Sequence, residues 1–172
     1  GVTVTALQLA QAYAVIASGG IQRPISFTKV TGPVPGKRIL DEKIARSIIP
    51  MMETVVTQEG TALRAAVPGY RIAGKTGTAH KAQGGGYASD AYMSLFVGMA
   101  PASAPRVVTA VIIDNPRQGG YYGGLAAAPV FSRMMSDTLR LMNIEPDRSA
   151  ERLAEQHRFP HPSTWVRPGR EG

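Results

Sequence analysis

The sequence predicts an α/β protein of the α+β type, in which an antiparallel sheet is covered by helices on both faces. Two strand-like runs, residues 92–100 and 106–115, are joined by only five residues, 101–105. A link this short permits an antiparallel hairpin but not a parallel crossover. Both runs carry apolar side chains at odd and even positions, which is typical of strands covered on both faces. Helical patterns precede and follow the two runs, and these helices would pack on the two faces of the sheet.

A further strand is predicted at residues 72–79, because Ile72, Thr76 and Thr78 are strand-favouring residues at even spacing. Strand geometry sends the two threonine hydroxyls to one face and the Lys75 side chain to the other. The other residues of this stretch are small, so another molecule can lie close to the backbone. We therefore expect this strand to bind a ligand.

Three helices are predicted around the sheet. Thr5 begins a capping box and hence a first helix, whose largely apolar surface predicts that it is mostly buried. Asp41 caps a second helix, in which Pro50 should produce a kink or a break. The third helix is predicted at residues 128–141, with Pro129 near its first position.

The connecting segments carry their own predictions. Residues 24–30 are rich in strand-favouring residues and should be extended, and residues 60–67 should contain a helical turn. Residues 80–91 are polar and glycine-rich, which predicts a mobile loop. The composition changes after residue 143, so we expect one folded domain over residues 1–145 and a Pro/Arg-containing tail over residues 146–172.

The composition excludes several classes of function. The 172 residues contain no cysteine, so neither disulfides nor thiol catalysis is available. The net charge is +7, but the basic residues are scattered and form no stripe with interleaved aromatic residues. We therefore expect no nucleic acid as a partner. No apolar run approaches the ~20 residues that span a bilayer, and we expect neither a cofactor nor a metal site.

Residues 69–76 also fit the phosphate-loop pattern G-x-x-x-x-G-K-[ST]. A phosphate loop must follow a buried strand and begin a helix whose N-terminus faces the phosphates. Here Pro68 interrupts the preceding segment, Gly77 directly follows Thr76, and residues 84–86 are three glycines where the helix should continue. This context argues against a P-loop nucleotide hydrolase and predicts that no helix begins at residue 76.

The motif Lys75-Thr76-Gly77-Thr78 resembles the third signature motif of the serine acyl-transferases that bind penicillin. The likeness covers residues 1 to about 145, through the segments 69–79, 98–103, 121–124 and 128–131. The chain resembles the class B penicillin-binding proteins and, among them, the D,D-transpeptidases of cell division. This resemblance implies the penicillin-binding transpeptidase, or serine β-lactamase-like, fold, of which the chain would form the C-terminal half.

The resemblance also implies site residues. In this family a serine attacks a D-Ala-D-Ala amide, and the acyl-enzyme passes its acyl group to an amine or to water. Lys75 and Thr78 would be catalytic: Lys75 would serve the proton network and help hold the substrate carboxylate, and the Thr78 N–H would be half of the oxyanion hole. The implied substrate-binding residues are Thr76, Gly77, Thr78, Tyr92, Tyr122 and Gly123.

The chain departs from the family because no S-x-x-K pair lies on a predicted helix. Ser26 and Lys29 have the spacing, but in an extended run residues i and i+3 point to opposite faces. The family's S-x-N second motif is not found upstream of Lys75 either. The serine and its base are therefore expected from preceding sequence, the upstream half of the same protein, and this chain alone should be inactive.

The implied function is cross-linking of cell-wall stem peptides during division by a penicillin-sensitive D,D-transpeptidase. Its expected partners are the D-Ala-D-Ala stem peptide, β-lactams and membrane proteins of the division complex. It would work at the periplasmic face of the bacterial inner membrane, anchored by an N-terminal helix outside this chain. The alternatives are a D,D-carboxypeptidase or β-lactamase-type hydrolase, and a non-catalytic binding module with the same fold.

Overall fold

The computed structural model describes residues 3–83, 86–117 and 120–148. These residues form three helices, a three-stranded sheet, a two-stranded sheet and two short 3₁₀ turns. In chain order the elements are α1 (Ala6–Ala17), β1 (Ile21–Gln22), β2 (Lys37–Arg38), α2 (Glu42–Glu53), the 3₁₀ turns Thr54–Val56 and Leu63–Ala65, β3 (Ala73–Gln83), β4 (Gly86–Ala100), β5 (Val107–Asp114) and α3 (Gly123–Leu141).

The main sheet is antiparallel, with the strand order β3-β4-β5. The register pairs Thr76 with Phe96 and Thr78 with Ser94 between β3 and β4, and Phe96 with Val111 between β4 and β5. The link between β4 and β5, residues 101–106, forms the predicted hairpin. Alternation along the strands gives the sheet two apolar faces, as the sequence predicts.

Helices cover both faces of the sheet, so the predicted α+β architecture is confirmed. On one face Phe96 and Val111 pack against α3, where the rings of Phe96 and Phe131 meet edge to face at 4.7 Å. On the other face Met99 packs with Met52 of α2 and with the inner side of α1. The buried residues of the α3 face are Ala62, Ala65, Val67, Ile72, Phe96, Ala100, Val111, Ala127, Ala128, Phe131, Met135 and Leu139.

The predicted N-terminal caps of α1 and α2 are both confirmed. The Thr5 hydroxyl accepts the Gln8 N–H, and the Gln8 side chain accepts the Thr5 N–H, which completes the capping box. The Asp41 carboxylate accepts the Lys43 N–H at 2.8 Å. The α2 helix continues past Pro50 to Glu53.

The prediction that α1 is mostly buried is wrong. Val15 is the buried residue of this helix, while Leu7 is 43% exposed. One side of α1 packs on β5 and α2, and its opposite side faces outward although it carries Leu7 and several alanines. An apolar surface on a helix therefore did not imply burial on all sides.

Three other segments differ from prediction. Residues 24–30 form no strand, because no neighbouring strand pairs with them, and Phe27 is 89% exposed.

The predicted loop at residues 80–91 is mainly strand. Ala82 pairs with Tyr87 after an irregularity in the register, and residues 84–85 lie outside the described ranges. The α3 helix begins at Gly123 rather than Ala128, which places Pro129 inside the helix.

Residues 144–148, after α3, are hydrogen-bonded to the segment that leads into β3. The Tyr70 hydroxyl donates to the Ile144 carbonyl at 2.6 Å. The Asp147 carboxylate accepts the Arg71 N–H at 2.7 Å and both the N–H and the hydroxyl of Ser103. The domain boundary at residue 145 stays a prediction, and residues 149–172 of the predicted tail lie outside the described residues.

Candidate active site

The motif Lys75-Thr76-Gly77-Thr78 lies within β3, an outer strand of the described sheet. The backbone stays extended through Thr76 and on to Gln83, so no helix begins at the motif. A phosphate loop requires such a helix, and the nucleotide-hydrolase alternative therefore loses its structural support. The predicted absence of a helix at residue 76 is confirmed.

Lys75 and Thr76 lie side by side on this strand. Lys75 is exposed, and its ammonium donates a hydrogen bond to the Thr76 carbonyl at 3.0 Å. The Thr76 hydroxyl is 3.0 Å from the Thr61 hydroxyl, which the segment before the second 3₁₀ turn supplies. β3 therefore carries a cation and a hydroxyl here, with a second hydroxyl beside it from Thr61, and such groups hydrogen-bond well to carboxylates.

Thr78 contacts the start of α3. Its hydroxyl oxygen accepts the Gly123 N–H at 3.1 Å. The approach is so close that a Cβ at residue 123 would lie 2.3 Å from the Leu95 carbonyl oxygen and 2.6 Å from that of Gly77. Only glycine fits between the strands and the helix here. The first residue of α3 is therefore a glycine because any side chain would collide with the two strands. Gly77, Thr78 and Gly123, three of the predicted site residues, are thus brought together.

The predicted wall residues belong to an aromatic stack of four side chains. The Tyr92 and Tyr121 rings are stacked, with centroids 4.1 Å apart and planes 14° apart. His80 lies 4.5 Å from Tyr92, and Tyr122 lies 4.5 Å from Tyr121. The stack extends from β3, across β4, to the residue before α3. We call these four side chains the aromatic wall.

The phenols at one end of the wall are also hydrogen-bonded to each other. The Tyr121 hydroxyl donates to the Tyr122 hydroxyl at 3.2 Å. This donated hydrogen bond raises the pKa of Tyr121 above its ordinary value, because an ionised Tyr121 could no longer donate it. Both tyrosines are accessible from outside, Tyr122 being 56% exposed, so the wall can contact a ligand.

Three residues of this region were missed in the sequence. Tyr121 lies at the centre of the wall, Thr61 pairs with Thr76, and the Ser94 hydroxyl donates to the Tyr121 carbonyl. Ser94 is completely buried. A serine within a strand and a threonine in a connection carry no local signal of such contacts. Tyr121 could have been found, because it adjoins the predicted Tyr122.

The described residues provide binding groups but no activated nucleophile. Ser26 is exposed, and its hydroxyl bonds within its own loop to the Thr28 carbonyl at 2.8 Å. Among the side chains that the structure describes, no serine hydroxyl is hydrogen-bonded to a lysine, and no cluster of three metal-binding side chains occurs. What the arrangement can do is bind and orient an anionic or carbonyl-bearing ligand along β3.

Comparison with known proteins identifies the family. Residues 1–136 match the family model described as penicillin-binding protein transpeptidase domain. The chain therefore belongs to the penicillin-binding protein transpeptidase family, and the resemblance found in its motifs is confirmed.

Individual relatives are similar over most of this chain. It is 51% identical to the peptidoglycan D,D-transpeptidase FtsI of Escherichia coli strain K12 over 147 residues, which cover 86% of the chain and 25% of that protein. It is 47% identical to the probable peptidoglycan D,D-transpeptidase PbpC of Pseudomonas aeruginosa over 158 residues, 92% of the chain and 28% of that protein. The chain thus spans about a quarter of the length of these curated relatives.

A solved structure gives the same fold. The apo transpeptidase domain of Burkholderia pseudomallei penicillin-binding protein 3 is 44% identical and superposes with a TM-score of 0.79, covering 85% of this chain and 45% of that one. The predicted penicillin-binding transpeptidase fold is confirmed. In the described part of the chain, no helix has both the length and the apolar character needed to cross a membrane.

Proposed function

We propose that this chain is the C-terminal portion of a penicillin-sensitive peptidoglycan D,D-transpeptidase that cross-links stem peptides during cell division. The observation that carries the proposal is the position of Lys75-Thr76-Gly77-Thr78 on an outer strand, beside the start of α3 and the aromatic wall. Sequence identity of 51% to a named D,D-transpeptidase supports the same function.

The first proposed role of the strand is to bind the carboxylate of the acyl donor. Because the Thr78 oxygen accepts the Gly123 N–H, the proton of that hydroxyl remains available for a ligand oxygen. The Thr76 hydroxyl and the Lys75 ammonium lie on the same strand and add a second donor and a positive charge. Charge-assisted hydrogen bonds of this kind are about twice as strong as neutral ones.

The second proposed role is to stabilise the oxyanion. The Thr76 carbonyl accepts a hydrogen bond from the Lys75 side chain. This contact supports an orientation of the Thr76 carbonyl toward the outer, unpaired edge of β3. In an antiparallel ladder, groups two residues apart point the same way, so the Thr78 N–H would also face that edge. A backbone N–H there could donate to the oxygen of a tetrahedral intermediate, and losing one such donor costs ~10²–10³ in rate.

The remaining chemistry requires groups from the upstream half of the same protein. Its serine would lose its proton to a neighbouring base and form an ester with the penultimate D-alanine, and the terminal D-alanine would leave with a proton. The amine of a second stem peptide would then replace the ester with an amide. We propose that the complete protein does this at the periplasmic face of the inner membrane, with division-complex partners.

The experiment measures β-lactam acylation of the complete protein. Thr78→Val should slow acylation by a fluorescent penicillin by about one to two decades, because a hydrogen bond to a charged group contributes about 1.5–3 kcal/mol. Thr78→Ser keeps the hydroxyl and should stay within a few-fold of wild type. Thr109→Val, the same change on β5, is the matched control. Acylation of Thr78→Val at the wild-type rate would contradict the proposed role.

Two related activities are distinguished by the fate of the acyl-enzyme. A transpeptidase should form more cross-linked product as the amine acceptor is increased, whereas a D,D-carboxypeptidase or β-lactamase-type hydrolase should release free acid at an unchanged rate. A non-catalytic binding module would form no acyl-enzyme at all.

A further inference from the structure

Ser94 differs from the other described residues of the sheet in combining complete burial with a polar side chain. It lies on β4 between Tyr92 and Phe96, and residues at this spacing face the same side of the sheet. Phe96 belongs to the core under α3, while Tyr92 belongs to the aromatic wall. Ser94 therefore lies where the apolar core ends and the wall begins.

The Ser94 hydroxyl has a specific partner, the carbonyl oxygen of Tyr121. Tyr121 follows the connection from β5 and precedes α3 by two residues, so no regular element contains its backbone. Its ring nevertheless stacks on Tyr92 with planes 14° apart. A hydrogen bond from the strand that carries Tyr92 to the backbone that carries Tyr121 fixes the relative position of the two rings.

Removing the hydroxyl would leave that carbonyl without its donor beneath the wall. A buried polar group without a partner is unfavourable, so the backbone at Tyr121 would move to reach water or another donor. Ring stacking depends on offset and tilt, and it weakens when either changes. The aromatic wall would then be displaced, while the core beneath it and the motif on β3 would stay unchanged.

We propose that Ser94 is a positioning residue, which holds Tyr121 against Tyr92 and thereby sets the affinity of the site for its acyl donor. This inference rests on the proposed function, because it assumes that the wall borders the acyl-donor site. Ser94 acts through Tyr121 and does not contact the donor itself. The wall is fixed before the tetrahedral intermediate forms, so it should bind ground state and transition state equally.

The experiment compares two serines that make the same kind of bond. The Ser132 hydroxyl on α3 donates to the Ala66 carbonyl at 2.6 Å, a partly buried bond that involves no residue of the wall. Ser94→Ala and Ser132→Ala each remove a hydrogen bond from a serine to a backbone carbonyl. Ser94→Thr keeps the hydroxyl and tests rescue. Each variant of the complete protein is acylated with benzylpenicillin at several concentrations, which separates the apparent binding constant K, the acylation rate constant k2 and the active fraction.

We expect Ser94→Ala to raise K about three- to tenfold, the range that an aromatic contact contributes, with k2 and the active fraction unchanged. Ser132→Ala should leave K unchanged, and Ser94→Thr should restore it. The near-ultraviolet circular dichroism of the tyrosines should change in Ser94→Ala and not in Ser132→Ala.

Several results would overturn the inference. An unchanged K and an unchanged tyrosine signal in Ser94→Ala would show that the hydroxyl does not position the wall. A lower active fraction with unchanged K would show a purely structural role. Wild-type protein that is acylated normally, together with either result, would leave the proposed function intact. Wild-type protein that is not acylated at all would overturn both the proposed function and this inference.

Discussion

The two faces of the three-stranded sheet are covered to different degrees. Among the described residues, the α3 face holds a cluster of twelve buried residues, whereas the face toward α1 and α2 holds four. Exposed apolar side chains occur on all three helices, among them Leu7 on α1, Met51 on α2 and Leu141 on α3. The difference between the faces is therefore the size of the buried cluster beneath the helices.

The candidate site is built on the face with the larger buried cluster. Thr76 and Thr78 contact groups on this side, and Tyr92 and Ser94 belong to the same face of β4. Functional groups must be held within a fraction of an ångström, and close packing beneath them provides that precision. The difference between the faces thus suggests that the α3 side positions the chemistry, while the α1 side contributes less to it.

The largest effect expected is on stability, and two methionines test it as a matched pair. Met135 on α3 is completely buried and Met52 on α2 is 7% exposed. Met135→Ala should cost about 4 kcal/mol and Met52→Ala about 2 kcal/mol, because a dense environment relaxes less around a cavity. Urea-induced unfolding measures both. Equal losses in the free energy of unfolding would contradict the proposed difference between the two faces.

A smaller effect is expected at the C-terminal end of α3. The Asp147 carboxylate joins the segment after α3 to Arg71, just before β3, and to Ser103. Asp147→Ala leaves two N–H groups without this acceptor and should destabilise the protein by about 1–3 kcal/mol. Asp137→Ala is the control, because Asp137 is exposed and its ion pair is with Arg140 in its own helix. If the two variants unfold at the same urea concentration, the segment does not fasten α3 to β3.

The smallest effect is expected at the N-terminal end of α3. The hydrogen bond to Tyr122 raises the Tyr121 pKa, so Tyr122→Phe should lower it toward its ordinary value. A raised phenol pKa stabilises the folded state below the unfolded pKa of about 10, and this contribution is lost as pH rises through the folded value. Tyrosinate absorbance during an alkaline titration measures the shift. An unchanged titration would show that the two hydroxyls do not interact.

Local sequence signals predicted much of this fold. The Thr5 capping box, the Asp41 cap and the hairpin after β4 each depend on neighbouring residues and were found where predicted. The start of α3 was missed because two glycines favour a turn locally. Their helical conformation depends on the close approach of Gly123 to β3 and β4, a tertiary contact that local propensity does not contain.

In the candidate site, too, the features set by neighbouring residues were predicted and those set by tertiary contacts were missed. The motif on β3 could be recognised from a short run of residues, and its extended conformation follows from local preference. The contacts of Ser94 with Tyr121 and of Thr61 with Thr76 join residues far apart in sequence. The strand at residues 80–83 was missed because its polar composition favours a loop, whereas pairing with β4 continues the ladder there.

Covalent labelling by penicillin tests the central claim most directly, namely that this chain supplies the binding strand while the upstream half supplies the serine. The 172-residue chain alone and the chain joined to its upstream half are incubated with a fluorescent penicillin and examined by intact mass. We predict no adduct on the chain alone and one adduct on the joined protein. An adduct on the chain alone, at Ser26 or at any other serine, would contradict the account, as would the absence of labelling in the joined protein.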